Sequence, residues 1–269
     1  MREGFFIVRT LKKLKKRFVL KKEKLTSSLK IEHMKKILFA ILSFAFVSTH
    51  AQSADDIIQK YSKAMGGLSA FNAVKTMKMT GTVTTQGMDL PLTAQIINRK
   101  AVRNDVEAMG QSVINSYKDG KGWKINPFMG VTTATDMTPE ELLDFKAQSM
   151  VANQLMDYKA RGHMVELQGQ EDVEGIKTYK IKLTNKDDKK ITTYFISVTD
   201  NTLIKSISTR QIQGQDMEVE TFFSDLKDFN GLKFPMMRDQ KIQGQSFQTI
   251  KFTAIEFNVT IDEKVFDKQ

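Results

Sequence analysis

A chain that catalyses needs groups that attack or titrate, and this sequence offers few. It has no cysteine and three histidines, His33, His50 and His163. Without thiols there is neither a disulfide nor a thiolate nucleophile, and zinc sites of the usual kinds lose their commonest ligands. His163 stands in a Gly-His-Met turn with no nucleophile-elbow motif nearby, so a Ser-His-Asp triad has no evident serine to serve. Asp172, Glu174, Asp187 and Asp188 fall in turns, where solvated carboxylates are the rule, and nothing selects a catalytic pair. There is no Walker-type phosphate loop. The sequence therefore predicts no catalytic residue, no metal and no cofactor.

What it has instead is adaptable apolar surface. Thirteen of the fifteen methionines lie beyond residue 51, joined by Phe145, Phe195, Phe222, Phe223, Phe247 and Phe252. Methionine is flexible and polarisable, so Met-rich surfaces fit varied or floppy apolar partners such as acyl chains. For any single methionine, filling a core is the better account. As a set they predict an apolar interior.

The elements that must position this surface are legible from periodicity. Thr138 to Lys159 is the one long helical pattern. Thr138 caps, Pro139 takes the first helical position, and Glu141 completes a capping box. Leu143, Ala147, Met150, Val151, Leu155 and Tyr158 recur at helical spacing, widened by Leu142, Phe145, Ala152 and Met156. A shorter helix opens at Ser53-Ala54-Asp55-Asp56, carries Ile57, Ile58, Tyr61 and Met65 inward, and ends at Gly66-Gly67.

Elsewhere the period is two. Met77, Met79 and Val83, then Leu90, Leu92, Ala94 and Ile96, alternate with polar residues, and Pro91 predicts an edge or a bulge. Asp119-Gly120 signals a tight hairpin. Ile212-Gln213-Gly214-Gln215 and Ile242-Gln243-Gly244-Gln245 read as two hairpins of one meander. Strands with one apolar face must bury it. The expected fold is mainly β with α: one curved antiparallel sheet, or half-open β-barrel, of about 10–11 strands, with an N-terminal helix and a central lid helix.

The formal charge of +10 is misleading as a sign of nucleic-acid binding. Residues 1–51 hold 13 of the 41 basic and 3 of the 31 acidic residues, which leaves 28 of each sign in the remainder. Met34-Lys35-Lys36, the apolar run Ile37 to Val47 and the small residues Thr49 and Ala51 match a cleavable signal peptide over 34–51. Residues 1–33 read as an overlong N-terminal extension, and 52–269 as one domain. The absence of cysteine after Ala51 predicts an unlipidated, periplasmic product.

Several stretches then resemble the outer-membrane lipoprotein-sorting proteins, the superfamily of the periplasmic Lol lipoprotein carrier. They are Ile57-Ile58-Gln59-Lys60-Tyr61, Ala64-Met65-Gly66-Gly67, Val74-Lys75-Thr76-Met77, Asp119-Gly120-Lys121-Gly122-Trp123 with Asn126-Pro127, Asp225 to Pro235, and Ile255 to Asn258 followed by Ile261-Asp262 and Val265-Phe266. The resemblance implies a half-open barrel with helices as a lid over a cavity for lipid or lipoprotein acyl chains. It also implies exchange with an inner-membrane release complex and an outer-membrane acceptor. Met77, Met79, Leu90, Leu92, Ile96, Trp123, Leu143, Met150 and Leu155 are the expected cavity and lid residues, and Arg103 the candidate lid latch. The alternative is an envelope sensor or assembly module that uses the same fold to hold a protein.

Overall fold

The computed structural model describes residues 53–212 and 214–269. The expected extension over 1–33, the signal peptide over 34–51 and its cleavage point lie outside the described residues. Helix α1 (Ala54–Ala64) begins where expected. The Ser53 hydroxyl accepts from the Asp56 amide at 3.1 Å, and the Asp56 carboxylate accepts from the Ser53 amide at 3.3 Å. Its inward residues Ile57, Ile58 and Tyr61 are buried. Gly66 has φ +117°, and a Cβ there would lie 2.2 Å from the Gly231 carbonyl oxygen, so only glycine ends the helix this way. Helix α2 (Leu68–Ala73) adds the buried Phe71.

Six strands follow: β1 (Thr76–Thr85), β2 (Met88–Ile97), β3 (Ala101–Ala108), β4 (Gln111–Lys118), β5 (Lys121–Asn126) and β6 (Val131–Asp136). Helices α3 (Pro139–Gln148) and α4 (Tyr158–Arg161) interrupt the series. Seven more strands complete it: β7 (Met164–Val173), β8 (Ile176–Thr184), β9 (Ile191–Ser197), β10 (Leu203–Ile212), β11 (Gln215–Phe229), β12 (Leu232–Ile242) and β13 (Gln245–Phe257). All pair antiparallel in one unclosed sheet, ordered β6-β5-β4-β3-β2-β1-β13-β12-β11-β10-β9-β8-β7. The two Gln-Gly hairpins join β10 to β11 and β12 to β13. Pro91 is edge-like although β2 is internal, because β3 pairs only with Leu92–Ile97.

The strand count exceeds the expected 10–11. One strand that sequence reading passed over is the Thr-rich β6, in which no residue is fully buried.

The long helix is corrected more substantially. It ends at Gln148, and Met150 to Asp157 forms a loop before the single turn of α4. Polar side chains divert the backbone there. Ser149 Oγ donates to the Lys146 carbonyl at 2.8 Å, and Asn153 Oδ1 accepts from the Met156 amide at 3.0 Å. The loop is still the plug of the core, since Val151, Ala152, Leu155 and Met156 are all buried, Leu155 completely. Helix α3 itself has no fully buried residue.

Register separates the two faces. Ile96, Val102, Tyr117 and Gly122 are directly opposite one another on β2 to β5 and share a face with α1, α2 and the plug loop. We call this the inner face. Gln95, Arg103, Ser116 and Trp123 form the neighbouring row and face outward.

Candidate ligand-binding site

Two relationships define how α3 lies over the inner face. At its N-terminus, Glu141 meets Lys124 of β5 at 2.5 Å and the Met137 amide donates to the Gly122 carbonyl at 2.9 Å. On its other flank, Glu140 and Asp144 meet Lys190, at the start of β9, at 2.7 and 3.6 Å. Eight strands separate β5 from β9 in the sheet order. Laid flat, they would put β5 and β9 about 43 Å apart. A ten-residue helix is about 15 Å long. The sheet must therefore curl until one short helix reaches both arms.

The C-terminal end of α3 is tied to the β2–β3 turn. Arg99 N donates to the Ser149 carbonyl at 2.8 Å, and Asn98 Oδ1 accepts from the Val151 amide at 3.1 Å. Below that point the plug loop is stitched to α1 by Asn153, which donates to the Tyr61 hydroxyl at 2.5 Å. Burial raises the Tyr61 phenol above its ordinary value. The buried Asp157 accepts from Arg99 at 2.9 Å and lies 3.7 Å from Arg161.

The expected site residues divide into three groups. Met77, Met79, Leu92, Ile96 and Leu155 come together in the buried core with Tyr61, Phe234 and Met236. Leu90, Leu143 and Met150 are half-buried. The α3 residues that pack on the core are Leu142 and Phe145, with Leu143 outside that contact. Trp123 and Arg103 are elsewhere, on the outer face under the C-terminal 3₁₀ turn Glu263–Phe266. There Trp123 Nε1 and Ser116 Oγ donate to the Phe266 carbonyl at 2.9 and 3.0 Å. Arg103 donates to the Val265 carbonyl at 2.5 Å, pairs with Asp105 at 2.7 Å, and lies 5.5 Å over the Trp123 ring. It is the strand register that sets these two residues on one face, and nothing in the local sequence pattern says that the chain terminus covers it.

Sequence reading also missed Arg238. Leu232, Phe234 and Met236 alternate inward along β12, and the next position of that parity is an arginine. Register sets it in an inner-face row Leu90–Val83–Ile250–Arg238–Phe223, each residue directly opposite the next. Its guanidinium lies 5.2 Å over Phe252, and its Nε is buried with no hydrogen-bond partner. Burial lowers its pKa, and the nearby Arg210 lowers it further. Arg210 is exposed to water yet ringed by enough protein that burial lowers its pKa too, as befits a side chain facing a concavity. Asp144 of α3 partly offsets this, while burial raises the carboxyl of Asp144 itself.

His163 Nδ1 accepts from the Lys186 amide at 3.1 Å, and burial lowers its pKa. Among the described residues no three His, Cys, Asp or Glu side chains converge as metal ligands. No helix among them is long and apolar enough to cross a membrane.

With this geometry in view, comparison with solved structures is informative about the fold. The chain has the fold of LolA-superfamily proteins. A LolA superfamily protein from Nitrosomonas europaea superposes with a TM-score of 0.54 at 11% identity, covering 80% of this chain and 98% of that one. A protein assigned as an outer membrane lipoprotein-sorting domain, from Vibrio parahaemolyticus, gives 0.53 at 9% identity over 80% and 96%. A DUF1329 family protein from Desulfovibrio piger gives 0.51 at 13% identity over 77% and 95%. No family model matches the sequence, and no curated protein does. The likeness is one of fold, and at these identities it transfers no residue roles.

Proposed function

We propose that this protein is a periplasmic binder or carrier of acyl chains, of lipoproteins or other lipids, and acts without catalysis. The observation that carries the reading is the covering helix. Helix α3 bridges the two arms of the curled sheet, yet Leu142, Leu143 and Phe145 on it stay only half-buried. A helix packed on a solid core would bury such side chains; a lid over an apolar space would leave them partly uncovered until a ligand arrives. Each methylene taken from water contributes about 0.8 kcal/mol, so a chain of ordinary acyl length supplies ample driving force. The fold it shares with a lipoprotein-sorting domain supports the same reading.

In this reading α3 is the lid, held by ion pairs that break and reform cheaply. The apolar strip of Val83, Leu90, Ile250 and Phe223 lies on the inner face. Native mass spectrometry of protein taken from its own envelope is expected to show bound lipid, and a fluorescent fatty acid is expected to bind the delipidated protein. A clean apo mass together with no uptake of the fatty acid would sink the proposal and leave the protein-holding module as the better account.

A further inference from the structure

Arg238 is the group on the inner face that the fold itself does not explain. Other cations with little exposure have partners: Arg161 donates to the Ala152 carbonyl at 2.7 Å and sits beside Asp157, and Lys205, on the outer face, meets Glu220 at 2.9 Å. Arg238 has no hydrogen bond or ion pair among the described residues, only the face of Phe252 and the neutral phenol of Tyr61 nearby. Truncation to an apolar side chain of similar volume would remove the cost of burying an unpaired charge. Arginine keeps its proton in proteins, so the position stays cationic. A second cation, Arg210, adds to the local positive charge, and the carboxylate that faces Arg210 belongs to Asp144, which Lys190 also holds at 3.6 Å.

The surroundings of Arg238 are amphipathic in an ordered way. Its own row is otherwise apolar, with Leu90, Val83, Ile250 and Phe223. The next inner-face row is polar at the centre, running Thr85, Gln248, Gln240, Thr221 and Ser206 across five strands. Gln240 and Thr221 are buried. A methylene chain fits the first row, and a headgroup that accepts hydrogen bonds fits the boundary where Arg238 meets the second.

Building on the acyl-chain reading, we propose that Arg238 is the headgroup site of this cavity and selects amphiphiles with an anionic head. The shared chemistry is a carboxylate or a phosphate monoester on an alkyl chain. Either presents two or more oxygens to the guanidinium fork, beside a buried Nε that water does not reach.

The test compares dodecanoate, dodecyl phosphate and dodecanol by calorimetric titration on delipidated protein, in the wild type and in Arg238→Met and Arg210→Met. Dodecanoate or dodecyl phosphate is expected to bind about tenfold to a hundredfold tighter than dodecanol, and the stronger of the two names the source. Arg238→Met is expected to bring the anions down to the level of dodecanol and leave dodecanol unchanged, with an equal or higher melting temperature. Arg210→Met is expected to reduce the preference by a smaller factor. Equal binding of all three by the wild type, or an anion preference that survives Arg238→Met, would overturn the headgroup site while leaving the acyl-chain reading intact. No binding of any of the three would overturn both.

Discussion

Leu142 of α3 occupies the space that a side chain at residue 122 would fill. A Cβ placed on Gly122 would lie 2.9 Å from Leu142 Cδ2 and 2.5 Å from Met137 Sδ. The backbone at Gly122 has no left-handed requirement, so the demand for glycine comes from the helix above it. Gly122→Val should push Leu142 and Met137 away and lift the N-terminal end of α3. Overpacking of this kind costs about 1–3 kcal/mol. Urea denaturation should show that loss, and stopped-flow release of a bound fluorescent fatty acid should be faster. Unchanged release at a reduced stability would mean that α3 does not gate the cavity.

The opposite flank of α3 is held by Lys190, which serves both Glu140 and Asp144. All three side chains are about one-third to one-half exposed, so the stability at stake is small, within about 1 kcal/mol. Lys190→Ala should therefore leave the melting temperature nearly unaltered while accelerating ligand release. Raising salt should accelerate release from the wild type and have less effect on the variant. A variant that releases ligand at the wild-type rate at low salt would remove this pair from the lid mechanism.

The strand meander, the start of the first helix, and the presence of a covering helix were all legible, because alternation, the Ser53-Ala54-Asp55-Asp56 opening, the Thr138 box and the Gly turns are local signals. What was hidden depends on long-range choices. Only the register sets Arg103 and Trp123 on one face and Tyr117 on the other, and both faces of β4 carry buried residues, so the sequence pattern cannot say which face the C-terminal turn will cover. The helical period runs on through Leu155 and Tyr158, yet Asn153 and Ser149 turn the backbone into a loop that the same apolar residues then bury. Arg238 was readable as the fourth inward position of β12, but its lack of a partner becomes visible only with the opposing strands in place.

Arg103 gives a direct separation of stability from binding. Its bonds to Asp105 and the Val265 carbonyl hold the C-terminal turn against the outer face, on the opposite side of the sheet from α3. Arg103→Ala should destabilise by about 1–3 kcal/mol, the range for buried hydrogen bonds to charged groups. Among the fully folded molecules, fatty-acid affinity and release should be unchanged. Altered release at matched folded fraction would return Arg103 to the lid.

Acid should loosen the lid before it unfolds the sheet. Burial tends to raise Glu141, but the Lys124 ammonium and the Thr138 amide outweigh it and hold the carboxyl below the ordinary glutamate value. Lys159 and then Tyr158 likewise hold Asp55 down, where α1 meets α4. A carboxyl whose pKa is depressed in the folded state adds stability above its unfolded value, and that stability is lost as pH falls through the folded value. Both contributions are therefore complete at neutral pH and fade below the normal carboxylate range. Asp144 has the opposite sign: burial raises it, so its charged form disfavours the closed helix at neutral pH and the penalty eases as it protonates. Ligand release from the wild type should rise as the pH drops below about 4.5, the unperturbed range of these carboxyls. Glu141→Gln should release faster already at pH 7 and lose most of that acid response, whereas Asp144→Asn should tighten the neutral-pH lid slightly. Stopped-flow release rates across the acid range decide the matter, and a Glu141→Gln profile that parallels the wild type would assign the acid response to groups outside the lid clamp.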